Sequence, residues 1–599
     1  MRHCIAQRQC SKGKRVNSPS NYDKHPTITI DSQEQACLQG WPEVFARLQR
    51  EISGMESCQV AIECYPGGLV DDLIRLLGES FKTALIVDVA ASYKNSSALK
   101  AQFSDKLTDD PVFGFMYPWR VEDFFDGSLL KQQQTRLENA AGLSFIVGTG
   151  AALVAPKPAL LLHAGVARWE IQQRQRAHRI GNLGQNNAED SPSQLYKTAF
   201  FVDWRAADRL RHQFYKDVDF FLDLNCQDQP RMVEGDILRN AVAQAVRRPF
   251  RMVPFFDPGP WGGDWMVKRF NLPDGPPNYA WCFDCVPEEN SVLLGFGSRR
   301  FELPSIVLVH EHPLELLGKG VQKLFGAEFP IRFDLLDTMH GGNLSLQVHP
   351  LKKYIRDNFG MDYTQDESYY ILDSEPGAQV YLGLREGVDK DEMRQALENA
   401  QAGAAPFDAQ RFVNLWPARK HSHFLIPAGT IHCSGKDSVV LEISATPYIF
   451  TFKLWDWGRM GLDGKPRPIH LERGLENIQW NRTTEWVRKE LVSPVEQVAE
   501  GDGWHEERTG LHAAEFLETR RHWFQAPVPH NTQGNLNVLN LVEGEEAIVE
   551  SPSGAFPPLR VHYAETFVVP AAVGEYTIRP VHPPDRPLAT LKAYVREQA

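Results

Sequence analysis

The chain has 599 residues, 42% hydrophobic and 23% charged, with a formal net charge of −12. That length exceeds what one hydrophobic core supports and calls for three or four domains at roughly 150 residues each. The acidic balance argues against nucleic acid or an anionic membrane as partner, since both select clustered Lys and Arg, and no apolar run reaches the ~20 residues that cross a bilayer.

Residues 1–30 open with the basic, polar stretch "MRHCIAQRQCSKGKRVNSPSNYDKH", which lacks the roughly 7–15-residue apolar core of a secretory signal and reads as a mobile tail. The nine cysteines are odd in number and scattered, which fits reduced thiols in a cytoplasmic protein better than a disulfide framework. Cys282 and Cys285 form a lone C-x-x-C without a second pair or nearby His at metal spacing, so ordinary packed thiols are expected there.

From 31 to 245, the apolar runs "SCQVAIECYPG", "TALIVDVAA", "LSFIVGTGAAL" and "PALLLHAGV" alternate with the helix-patterned "LVDDLIRLLGESF" and "VARWEIQQRQRAHRI". Apolar strands alternating with amphipathic helices predict an α/β domain with a parallel sheet. The turn in "ECYPGGLVDDLIRLL" sits where a phosphate-binding loop would, yet it has neither the Lys for terminal phosphates nor the hydroxyl for magnesium. The region resembles a P-loop nucleoside kinase with a degenerate loop, which implies a structural or regulatory role instead of phosphoryl transfer.

Beyond "RRPFRMVPFFDPGPWGGDWMVKRF" the texture changes to short aromatic and β-branched runs separated by Gly, Pro and Asp turns, with "DEMRQALENAQAG" as a helical insertion. This pattern predicts mainly-β barrels or jelly rolls, one over 246–500 and a second over 501–599.

In "NLSLQVHPLKKY" strand alternation puts Gln347 and His349 on one face. Glu367 heads the strand "DESYYILD", and His432 follows the tight turn in "HFLIPAGTIHCSG". If a barrel brings these together, one amide, one carboxylate and two imidazoles suit a borderline divalent ion such as zinc. Hydrogen-bonded polar groups at strand ends are the alternative.

The ordered motifs "LSLQVHP", an acid before "YYIL", and "IPAGTIH…LEIS…FKLWDWGR", with "PGPWGGDW" and "FPIRFDLLDT" upstream, resemble type I mannose-6-phosphate isomerases (phosphomannose isomerases), zinc-dependent enzymes of cupin fold. The likeness covers roughly residues 246–599. It implies one zinc ion per chain on Gln347, His349, Glu367 and His432, and an aldose–ketose isomerase acting on mannose 6-phosphate through an enediol. It further implies Glu442 as base or proton relay and Lys453 in catalysis or substrate binding, with Asp456 and Arg459 matching the pattern and Trp455 and Trp457 packed around them.

Gln365 stands where the family commonly has Lys, and Lys453 where it has Arg; Arg is a permanently charged fork, whereas a buried Lys can lose its proton. Those departures keep open an isomerase of another or unphosphorylated sugar, and a non-catalytic sugar-phosphate-binding protein. Arg332, Lys352, Lys353 and Arg459 are the cations near the motifs that a phosphate could use.

Overall fold

The computed structural model describes residues 20–596 except 274, 447, 463, 465, 466, 494 and 511. The described residues divide into two compact units, the first comprising 27–245 with 291–311 and the second 20–26, 246–290 and 312–596. Most of the expected tail lies outside the described residues, but Thr27–Thr29 forms a strand paired in parallel with Ser291–Phe296, which in turn pairs with Arg299–Pro304. Among the described residues no helix is long and apolar enough to cross a membrane.

The first unit is built on a seven-stranded sheet. Its strands run, edge to edge, Cys37–Gln39, Arg231–Glu234, Phe220–Asp223, Leu160–Gly165, Cys58–Cys64, Leu143–Gly148 and Leu85–Asp88. The last five are mutually parallel; Arg231–Glu234 runs against them and pairs antiparallel on both sides, with Cys37–Gln39 outside it at the edge. The four apolar runs picked out from the sequence are all strands of this sheet, and the two patterned segments are the helices Val70–Ser80 and Arg168–Arg176.

The turn after Cys64 is held from the opposite direction to a phosphate loop. Arg174 donates from Nη1 to the Gly67 carbonyl at 2.9 Å and from Nη2 to the Leu224 carbonyl at 2.7 Å, so carbonyls face a guanidinium where N–H groups would face a phosphate. Gly67 has φ +101°, and a Cβ there would lie 2.7 Å from Ile171 Cγ1. Asp71 and Asp72 add negative charge to the first turn of the following helix, opposing an anion.

In the second unit six strands matter for the site: β1 (Arg332–Asp337), β2 (Leu346–Val348), β3 (Asp366–Ser374), β4 (His432–Ser434), β5 (Ser438–Ala445) and β6 (Phe452–Trp455). One antiparallel sheet runs His423–Ile426, β3, β5, β1, Trp281–Cys285, Phe255–Asp257, and another runs Val413–Pro417, Gln379–Leu384, β4, β2, β6. The helix Lys390–Gln401 is the expected insertion, with Asp389 accepting from the Glu392 N–H as its N-cap.

Two further antiparallel sheets of six and four strands follow from Glu496 onward. They enclose an apolar core that includes Phe524, Leu539, Val549, Phe567 and Ile578.

Cys37, Cys58, Cys64, Cys282, Cys285 and Cys433 are buried free thiols. Burial raises the Cys282 and Cys285 pKa values well above those of ordinary thiols, which leaves them unreactive.

Candidate metal centre

Glu367 enters the interior from β3, while Gln347 and His432 come from β2 and β4, where they are register partners. His349 lies just past the end of β2. The "PAGT" turn delivers His432: Gly429 has φ +87°, and a Cβ there would lie 2.7 Å from Gln479 Cγ and 2.8 Å from Leu351 Cδ2. Its N–H donates to the His349 carbonyl at 3.0 Å, tying the two histidine segments together.

The side chains converge. His349 Nε2 lies 3.1 Å from Glu367 Oε2, His432 Nε2 lies 2.8 Å from Glu367 Oε1, and Gln347 Nε2 lies 3.2 Å from His432 Nε2. Ligand atoms of His349, Glu367 and His432 all fall within 4.8 Å of one another, and all three residues are buried.

The outer nitrogens fix the tautomers. His349 Nδ1 is 2.8 Å from the Phe450 carbonyl and His432 Nδ1 is 2.8 Å from the Thr430 carbonyl. Each Nδ1 therefore carries the hydrogen, and each Nε2 turns a bare lone pair inward.

Lone pairs and carboxylate oxygens this close repel unless something positive joins them. His349 Nε2 and Glu367 Oε1 are buried without a hydrogen-bond partner, the condition a divalent cation relieves. The N, N, O, O donor set fits a borderline ion, with the Gln347 amide turned so that its oxygen faces inward.

His349 and Glu367 favour each other's charged forms. Burial alone would raise the Glu367 carboxyl, but His349 and His432 hold it well below the usual range. Burial disfavours charge on His349, yet Glu367 outweighs it and raises that imidazole's pKa. Gln365 braces the arrangement, donating to Glu367 Oε2 at 2.9 Å and accepting from the Phe450 N–H at 3.0 Å.

Glu442 sits on β5, half-buried, and its carboxyl is raised well above the usual range by burial and by Glu367 and Asp334. Lys453 lies on β6 opposite Gln347. Burial, with repulsion from Arg467, lowers its ammonium to about 8 against the pull of Asp456.

Asp456 accepts from Arg459 at 2.7 Å, Arg467 at 2.6 Å and Ser345 at 3.0 Å. Arg467 escaped the sequence reading because only the fold brings it back to Asp456. The other cations named from sequence lie elsewhere: Arg332 is buried beside Asp334, Lys352 is exposed, and exposed Lys353 pairs with Asp357. Trp457 donates from Nε1 to the Leu344 carbonyl at 2.6 Å, and its ring centroid lies 5.4 Å from that of Tyr381.

Comparison with known proteins bears on both units. Residues 40–247 match a sequence family described as a domain of unknown function (DUF8485). Mannose-6-phosphate isomerase ManA of Bacillus subtilis (strain 168) is 27% identical over 232 residues, 39% of this chain and 68% of that protein. Probable mannose-6-phosphate isomerase GmuF of the same organism is 30% identical over 235 residues, 39% of this chain and 69% of that protein. Among solved structures, the mannose 6-phosphate isomerase from Bacillus subtilis aligns with 58% of this chain and 100% of its own at 17% identity and a TM-score of 0.48.

Proposed function

Because the chain belongs to the mannose-6-phosphate isomerase family, we propose that it interconverts mannose 6-phosphate and fructose 6-phosphate by enediol proton transfer. In this reading Gln347, His349, Glu367 and His432 hold one divalent cation, zinc by the character of the donor set. The observation that carries it is the buried convergence of two imidazoles and a carboxylate, with nitrogen lone pairs facing inward. A bound divalent ion supplies Lewis acidity at the sugar carbonyl.

The chain's own side chains do the rest. Glu442 takes the proton from one sugar carbon and returns it to its neighbour, a role worth ~10²–10⁴-fold. Gln365 is committed to bracing Glu367. Lys453, Arg459 and Arg467 set three cations against the single carboxylate of Asp456, leaving charge to receive a phosphate dianion.

A second reading, an isomerase of an unphosphorylated or different sugar, is favoured by the lysine at 453 in place of the family's arginine and by Gln365 in place of its lysine. A coupled assay of purified protein on mannose 6-phosphate and on mannose separates the two. The expected result is faster turnover of the phosphate ester, lost on chelation and restored by zinc. Preference for mannose would select the second reading, and sugar-phosphate binding without turnover would make the chain a binding protein.

For the first unit we propose a structural or regulatory role without phosphoryl transfer, since Arg174 engages the carbonyl of its phosphate-loop-like turn. Incubation of the full chain with ATP and magnesium should release no ADP and transfer no phosphoryl group; nucleotide turnover would refute that role.

A further inference from the structure

Residues 427–430, the turn before β4, carry no charge of their own, yet charged side chains hold their backbone. Asp366, at the head of β3 beside the candidate ligand Glu367, accepts from the Ala428 N–H at 2.8 Å. Arg482, in the loop before the helix Thr484–Glu490, takes the turn's oxygens. Its Nη1 lies 2.7 Å from the Pro427 carbonyl and 2.9 Å from the Ala428 carbonyl, and it donates to the Thr430 hydroxyl as well. Thr430 in turn donates from Oγ1 to the Pro427 carbonyl at 2.7 Å. One guanidinium nitrogen thus gathers three oxygens of a four-residue turn, through charge-assisted bonds roughly twice as strong as neutral ones.

The guanidinium is itself held in place. The Arg482 N–H donates to the Gln479 carbonyl at 3.1 Å, and the Gln479 N–H donates to the Gly429 carbonyl at 2.8 Å, so the backbone that carries the arginine is tied to the turn it grips. The Leu384 N–H donates to the Arg482 carbonyl at 3.0 Å, and the guanidinium carbon lies 5.4 Å from the centroid of the Trp486 ring.

This turn aims His432. The Thr430 carbonyl accepts from His432 Nδ1 at 2.8 Å, so the direction of the ring and the lone pair at Nε2 both follow from where residue 430 sits. We propose that Arg482 is the positioning residue for His432: by holding Pro427, Ala428 and Thr430 together, it fixes the carbonyl that orients the imidazole and thereby sets the affinity of the site for its cation. The effect on the cation rests on the metal-centre reading; the hold on the turn does not.

The test uses the full chain with zinc as the probe. Arg482→Met, which keeps the apolar stem and removes the donors, should raise the zinc dissociation constant at least about tenfold in competition with a chromophoric chelator. Arg482→Lys, too short to reach all three oxygens, should raise it at least about threefold, and carries the test should the methionine variant fail to fold. Val487 is fully buried in the helix that follows. Val487→Ala costs stability by leaving a cavity without removing any bond to the turn, and should leave zinc affinity within about threefold of the parent. Parental affinity in a folded Arg482 variant, or an equal loss in Val487→Ala, would overturn the positioning role.

A second measurement needs no metal. The Ala428 and Gly429 amides donate to Asp366 and to the His349 carbonyl, and their hydrogen exchange should be at least about tenfold faster in the Arg482 variants than in the parent. Unchanged exchange would show that the guanidinium does not hold the turn. Should the parent bind no zinc, the metal-centre reading falls, and the exchange comparison still decides what Arg482 does.

Discussion

Lys453 sits opposite Gln347 with its ammonium lowered to about 8 by burial and by Arg467. A base is charged below its pKa and neutral above it, so any phosphate contact made by Lys453 weakens as pH rises through about 8. KM for mannose 6-phosphate should accordingly climb on the alkaline side, while Lys453→Arg, charged throughout, should flatten that rise. Steady-state KM between about pH 7 and pH 9.5 checks it, and an equal climb in both proteins would detach Lys453 from the phosphate. Gln347, His349, Glu367 and His432 were legible because each belongs to a short ordered motif whose residue types suit one ion. Arg482 and Arg467 were not, since their meaning comes from partners that only the fold supplies, the carbonyls of the 427–430 turn and Asp456 across a loop.

At the scale of elements, the turn before β4 decides where His432 points. Gly429 combines a positive φ with backbone too close to Gln479 and Leu351 for any side chain. Gly429→Ala should cost about 1–3 kcal/mol of stability and at least about tenfold in metal affinity, measured by denaturant unfolding and competition with a chromophoric chelator. Loss of stability with metal affinity intact would show that the turn does not aim the histidine. The parallel strands of the first unit were readable as apolar runs because strands covered on both faces need little alternation. Thr27–Thr29 was not readable: three residues carry no periodicity, and the strand exists only because Ser291–Phe296, far along the chain, offers it an edge.

Taken whole, the molecule buries charge in both units, and in the first this is structural. Arg174 pairs with Glu170 at 2.9 Å with side-chain exposures of 2% and 12%, and the same guanidinium closes the turn at Gly67. Replacing Arg174 by Met removes the guanidinium that pairs with Glu170 and closes the turn at Gly67, which should destabilise the first unit by about 3–5 kcal/mol. Hydrogen exchange resolved over residues 40–247 reads that loss; unchanged protection would mean that the guanidinium is dispensable. In the second unit the buried charge is at the candidate site, where His349, Glu367 and His432 bring lone pairs and carboxylate oxygens together. The most direct test is anomalous diffraction from crystals of the full chain grown with zinc. We expect a peak at about 2.0–2.2 Å from His349 Nε2, His432 Nε2, Glu367 and the Gln347 oxygen. No peak at that position, with zinc bound only at surface groups, would contradict the account.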